Sequence, residues 1–472
     1  MHAGGYREFP QHYPQPGWVE HDANEIWAAT LGATEDVLRS PGVRSEEIVT
    51  IGITNQRETT VLWDRTTSAP IHNAIVWQCR RTAARCDELR ARGAEPRIRE
   101  LTGLVVDAYF SGTKIEWLLD NVDGARDAAE RGDLAFGTID SWLVWKLTGG
   151  TVHATDPSNA SRTMLYTIRD LGWSAELLEL LRIPASVLPA VRASSGRFGV
   201  TDPDAFLGLS VPVSGIAGDQ QAALFGQGCF SPGRSKNTYG TGSFLLLNAG
   251  TKPPPVREGL LSTVAWTVDG RTDYALEGSI FITGAALNWL RDGIGVIEDF
   301  AQAQPLATSV PDTGGVVFVP AFVGLGSPYW DPYARGTIVG LTRGTSKAHL
   351  VRAAVEAMAH QSQDVLEAMM RAVDSPPAEL RVDGGAVRMD LLCQLQADLS
   401  GIPVLRPVVG ETTALGAAFL AGLAEGVWDS LGALERAWGL DRRFEPTMNE
   451  SDRETARSRW HRAVERARDW ER

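Results

Sequence analysis

A short apolar run at residues 48–53 passes without a spacer into Thr54-Asn55-Gln56-Arg57-Glu58, and a second at 74–77 passes into Gln78-Cys79-Arg80-Arg81. Runs this short and this rich in Ile and Val read as strands buried on both faces, and the polar residues at their ends cannot follow them into a core. The strands hold the backbone still while their ends present hydrogen-bonding groups to a cleft, an arrangement suited to a small polyol. Further strand patterns lie at 61–63, 134–137 and 211–217. Helical patterns lie at 82–92, 114–121 and 140–147, and from Gly218-Asp219-Gln220 through residue 224. This alternation predicts an α/β fold with a partly parallel sheet.

The second half starts again. Strands are expected at 235–239 and 244–248, joined by the Gly-rich tip Gly240-Thr241-Gly242-Ser243, and a second hairpin at 260–266 and 272–277. A strand at 380–383 ends in Gly384-Gly385. Helices are expected at 281–292, 347–370, 387–400 and 413–425. Ser451-Asp-Arg-Glu454 has capping-box spacing before a charged last segment, which reads as a solvated terminal helix. A chain of 472 residues exceeds one hydrophobic core, and the Pro/Gly-bearing stretch at 229–233 marks a seam. Two domains are predicted, residues 1–228 and 229–472, sharing an interface because no low-complexity linker separates them.

A net charge of −13 argues against non-specific nucleic-acid or membrane-surface binding. Cys79, Cys86, Cys229 and Cys393 form no CxxC pair or zinc pattern and read as free thiols of a cytoplasmic protein. No apolar run reaches 18 residues and the first residues lack a signal-peptide pattern, so no membrane insertion is expected.

Several positions carry chemistry, each beside a plainer reading. Asp219, at a strand's carboxyl end, is placed to take a proton from an attacking hydroxyl, or to cap a helix. Arg57 and Glu58 offer a donor fork and an acceptor to neighbouring hydroxyls, or form a surface ion pair. Trp77, Tyr109 and Phe244 are ligand walls or core aromatics. The tip at 240–243 admits phosphate oxygens to backbone N–H groups, or is an ordinary hairpin turn. Asp383-Gly384-Gly385-Ala386 could lie against an adenosine, or be a tight turn.

Together these segments resemble the FGGY carbohydrate kinases, a family with the two-domain actin-like (ribonuclease H-like) ATPase fold, from about Arg7 to about Pro446. Tyr109-Phe-Ser-Gly-Thr-Lys114-Ile-Glu-Trp117-Leu-Leu-Asp-Asn121 fits the first family signature. Gly336-Thr-Ile-Val-Gly340-Leu, with His349-Leu-Val-Arg-Ala-Ala-Val-Glu356, fits the second. ITNQRETT, AIVWQCRR, GIAGDQQAALFGQ and PAFVGLGSPYWDPYARG are similar to the members that phosphorylate glycerol. The resemblance implies ATP-dependent formation of sn-glycerol 3-phosphate with Mg2+, by a protein often found as a homodimer or homotetramer. It places glycerol contacts at Arg57, Glu58, Tyr109, Asp219 and Gln220, apolar walls at Trp77 and Phe244, and the catalytic base at Asp219. It places nucleotide contacts at Thr241, Gly284, Asn288, Gly385 and Met389, and leaves the metal ligands unassigned.

Three departures accompany the resemblance. The family begins with a strand, a DQGTTSSR-like phosphate loop and a second strand, and no such sequence occurs here. Without that strand, its neighbours are expected to keep unpaired backbone groups. Without the loop, the rate is expected to fall at least ~10³-fold. Asn288 stands where the family has Gln, and Arg388-Met389 replaces a small residue and an Asn; Met389 cannot make an amide's hydrogen bonds. A non-catalytic glycerol-binding relative and a different FGGY sugar kinase are the alternative readings.

Overall fold

The computed structural model describes residues 2–255, 257, 259–373 and 376–471. In the first half, strands Ser195–Val200, Pro212–Gly218 and Ile51–Asn55 form a sheet in that order. The 212–218 and 51–55 strands are parallel, Val213 opposite Ile51 and Gly218 opposite Asn55. Val61–Asp64 and Leu134–Gly137 form a separate antiparallel pair. Among the described residues the 51–55 strand has one paired neighbour, and its far edge carries none. The hydroxyl of Thr54 is buried without a hydrogen-bond partner.

The second half is built on a seven-stranded sheet. Its order is Leu261–Val268, Arg271–Ile280, Ser243–Gly250, Ser235–Tyr239, Leu380–Asp383, Val404–Pro407 and Leu440–Phe444. The 380–383 strand runs parallel to both neighbours, and the other pairings are antiparallel. Helix Lys347–Met370 buries Val351, Val355, Met358, Val365 and Leu366 in the core of this half. All four cysteines are buried free thiols, and no helix among the described residues is long and apolar enough to cross a membrane.

Helix Thr412–Ala424 joins the halves. It lies across the 51–55 and 212–218 strands and against helix Asp219–Gly226. The approach is made backbone to backbone. A Cβ on Gly416 would overlap the Ala222 carbonyl, one on Gly226 would overlap that of Thr412, and one on Gly52 would overlap that of Ala417. Phe419 and Leu420 then reach a shared core with Phe225, Leu246 and Trp266.

Several expectations are corrected. The second apolar run forms a strand only at Ala74–Ile75, and Trp77 lies beyond it. The helix expected at 281–292 begins at Gly284, runs to Asn288 and widens into a π-turn at Trp289–Gly293. The helix expected at 387–400 is split at Met389 into Gly385–Arg388 and Asp390–Ser400. The terminal helix, Glu450–Ala467, is capped by Asn449, with Ser451 inside it. That helix is not a solvated one. It buries Trp460, Ala463, Val464 and Ala467, and Trp460 stacks on His360 at 5.1 Å with 6° between the rings.

Candidate active site

Because the 51–55 and 212–218 strands are parallel and in register at Asn55 and Gly218, both segments leave the sheet at one place. One continues as Gln56-Arg57-Glu58, and the other turns at Asp219 into the 219–226 helix. Residues 162 positions apart are thereby brought together, with Arg57 Nε 3.0 Å from Asp219 Oδ1. Gly218 makes the crossing feasible, since a Cβ there would lie 2.6 Å from Arg57 Cγ and Cδ. Gly218, not Asp219, occupies the cap position of the helix.

Arg57 and Glu58 are not a surface pair, because both side chains are buried. Their mutual contact is the longest in the cluster, 3.9 Å. Arg57 donates instead to both carboxylate oxygens of Glu277, and Arg162 bridges Glu58 at 2.6 Å and Glu277 at 2.9 Å. Two guanidinium groups and two carboxylates thus form a buried, charge-balanced quartet, the condition under which burying charge is tolerable. Burial pushes the Glu58 carboxyl up against the pull of Arg162 and Arg57. Burial likewise opposes ionisation of Glu277, but Arg162 and Arg57 outweigh it and bring its pKa down to about 2.

Glu58 has φ 61°, a left-handed conformation that costs a non-glycine residue about 1–3 kcal/mol and needs outside support. Its carbonyl accepts from Thr60 Oγ1 at 3.0 Å, Ser111 Oγ at 3.1 Å and Lys114 Nζ at 3.3 Å. Lys114 also donates to the Tyr109 carbonyl at 2.7 Å. The Tyr109–Lys114 motif therefore acts as a clamp on the turn that presents Arg57 and Glu58. The Tyr109 ring packs edge-on to Trp77 at 5.6 Å, and its hydroxyl lies 3.5 Å from Arg57 Nη2. Phe244 faces the Arg57 guanidinium at 5.8 Å. Asp219, 34% exposed, is the open member of this group, against 2% for Arg57. Gln220 is buried beside it.

The polar cluster after Trp77 does a different job from the one its position predicts. Arg81 is sandwiched between Trp18 and Trp117, 3.9 and 4.6 Å from their ring centres, and pairs with Glu20 at 2.5 Å. Arg80 pairs with Asp107. Both are structural ties outside the Arg57–Asp219 centre.

The expected nucleotide residues collect around the end of the 235–239 strand. The tip at 240–242 is stapled to the next segment, Gly284 N donating to Gly240 O at 3.0 Å and Thr283 N to Thr241 O at 2.9 Å. A Cβ on Gly284 would lie 2.6 Å from the Gly240 carbonyl. Asp383, Gly384 and Gly385 line a cleft of about 540 Å3 with Thr238, Arg388, Arg406 and Thr412. A Cβ on Gly385 would meet nothing within 4 Å, so its backbone faces open space. Asn288 ends the short helix that begins at Gly284. Met389 packs instead against the hydrophobic core of this half.

No group of three or more His, Cys, Asp or Glu side chains among the described residues is placed to hold a metal ion. Asp383 is buried and accepts from Gln227 and Thr412, which leaves Asp219 as the accessible carboxylate of the centre. This donor set fits Mg2+ arriving with nucleotide phosphates, since that ion commonly keeps its waters and takes one or two carboxylates.

Arg162, Glu277, Ser111 and Lys114 were not predicted as members of the centre. Glu277 had a readable signal: it is a lone charge within Tyr274-Ala275-Leu276-Glu277-Gly278-Ser279-Ile280, where burial demands a partner. Arg162 sits in a polar stretch, Ser158-Asn159-Ala160-Ser161-Arg162-Thr163, which looks like any surface loop.

The chain belongs to the FGGY family of carbohydrate kinases, whose N-terminal domain model matches residues 2–226 and whose C-terminal domain model matches 235–425. It is 62% identical to a glycerol kinase of Carboxydothermus hydrogenoformans over 98% of this chain and 93% of that protein. It is 58% identical to glycerol kinase 2 of Thermotoga maritima over 98% of this chain and 94% of that protein. The fold superposes on the crystal structure of Plasmodium falciparum glycerol kinase with ADP, at a TM-score of 0.90 and 35% identity, covering 98% of this chain and 92% of that one.

Proposed function

We propose that this chain transfers the γ-phosphoryl group of ATP to a terminal hydroxyl of glycerol, giving ADP and sn-glycerol 3-phosphate. The observation that carries the reading is the open carboxylate of Asp219, held by Arg57 at the rim of an otherwise buried, charge-balanced centre. A triol can exchange hydrogen bonds with Arg57, Glu58, Tyr109, Asp219 and Gln220 while its carbon backbone rests on Trp77 and Phe244. A ligand missing one hydroxyl would leave a buried polar group without a partner, which is the strongest form of discrimination available to such a site. Asp219 takes the proton of the attacking hydroxyl as the new P–O bond forms and the bond to ADP breaks.

The nucleotide is read as lying along Thr241, Gly284, Asn288 and Gly385, with residues 1–228 carrying most of the acceptor contacts and 229–472 the nucleotide; Met389, packed on the core of the second half, is left out of that set. The hairpin tip stapled to Gly284 and the open backbone of Gly385 support that division. Bound Mg2+ supplies charge neutralisation on the phosphates, and Asp219 is the residue here that would help hold it. The same reading puts the enzyme in the cytoplasm as a homodimer or homotetramer, which sedimentation would resolve.

Coupled ADP release with a panel of glycerol, xylulose and gluconate tests the substrate. Glycerol should lead in kcat/KM by at least roughly 100-fold, the scale at which a pocket rejects a ligand carrying extra groups. Release no faster with glycerol than without it would contradict the proposal.

A further inference from the structure

A buried cation that this reading does not use stands beside the site. Lys236 lies on the 235–239 strand with its side chain fully buried. Its ammonium donates to Gln220 Oε1, to Thr238 Oγ1 at 2.9 Å and to the Phe244 carbonyl at 3.3 Å. Those acceptors belong to the 219–226 helix of the first half and to two strands of the second.

We infer that Lys236 is a positioning residue for the acceptor site, fixing the Gln220 amide so that its NH2 end faces the substrate. The inference rests on the reading of Gln220 as a glycerol contact. An ammonium has three protons and no lone pair, so it can donate only to the oxygen end of a primary amide. Flipping Gln220 would turn its NH2 group against the ammonium and leave a buried donor unpaired. With Oε1 engaged, Nε2 is the end left to donate, and the site demands a lone pair from the ligand oxygen beside it. The Phe244 contact ties the apolar wall to the same amine. Burial lowers the Lys236 pKa to about 8, Asp383, Asp219 and Glu277 favouring the cation and Arg57 opposing it. The amine is therefore mainly charged at neutral pH.

The test uses the whole chain and compares glycerol KM, ATP KM and thermal midpoint for Lys236→Met, Lys236→Arg, Gln220→Leu and the double variant Lys236→Met/Gln220→Leu. Glycerol binding is followed by calorimetry alongside turnover. Lys236→Met should weaken glycerol roughly 10-fold or more beyond any change in ATP KM, the worth of one hydrogen bond to a charged group, and Lys236→Arg should recover part of it. Gln220→Leu should show a similar loss, and the double variant should be no worse than the poorer single. Equal changes in both KM values, unchanged glycerol affinity, or additive losses would overturn the inference and leave Lys236 a brace between the halves. Should Lys236→Met fail to fold, Gln220→Glu preserves the pairing with Lys236 but removes the donor. It should keep the thermal midpoint while losing glycerol affinity by a similar factor, and unchanged affinity would overturn the inference. Wild-type protein that binds no glycerol would remove the functional reading itself. Wild-type binding with unaffected variants removes only the role of Lys236.

Discussion

Glu277 shows how much of this site depends on residues that never reach the ligand. It is fully buried, holds both Arg57 and Arg162, and is brought to a pKa of about 2 by them. A carboxyl whose folded pKa lies below its unfolded value of 4.5 contributes stability that is complete above about pH 4.5 and is lost as pH falls toward 2. Glu277→Gln should therefore be about 3–5 kcal/mol less stable at pH 7, because two buried guanidinium groups lose their counter-charge. Its stability should also depend less on pH below about 4.5 than that of the wild type. Urea midpoints at pH 7 and pH 4 measure both effects, and equal pH slopes for the two proteins would contradict the account. Arg57 and Asp219 were legible in the sequence because each stands in a polar cluster that ends an apolar run, and the family resemblance then singled them out. Arg162 and Lys236 were not, because nothing in a linear sequence says that a charge in a polar or alternating segment will be buried against partners 104 and 16 residues away.

At the scale of elements, the glycine contacts of the 412–424 helix decide how closely the halves meet. Gly416→Ala would drive a methyl into the Ala222 carbonyl, with Gly226 opposite, and should cost about 1–3 kcal/mol as overpacking. Calorimetric unfolding checks it, and an unchanged midpoint would mean that the helix can slide away from the 219–226 helix. The terminal helix offers the opposite test. Trp460 stacks on His360 and donates to Asp364 at 2.7 Å, so Trp460→Ala should cost about 3–5 kcal/mol in urea unfolding. A loss within about 0.5 kcal/mol would restore the solvated-helix reading. Element types were largely legible, and the strands at 134–137, 235–239 and 380–383 and the helix at 347–370 match to the residue. Boundaries failed where a tertiary contact sets them. Phe281–Thr283 continues past a long strand whose end is held by Ser327, and Asn449 rather than Ser451 caps the last helix.

For the molecule as a whole, the acceptor centre is a joint product of both halves. Arg57, Glu58, Tyr109 and Asp219 come from the first, and Glu277, Lys236 and Phe244 from the second. The proposed reaction, with the nucleotide on the second half, would draw on this shared construction, and closure of the cleft would exclude water as a rival acceptor. The most direct test of the account is Asp219→Asn, studied by glycerol-dependent ADP release and by calorimetric binding of glycerol. The account predicts that turnover falls by about 10²–10⁴-fold, the range for a general base, while glycerol still binds. Retention of more than about a tenth of the wild-type rate would contradict the assignment of Asp219 as the base on which this account rests.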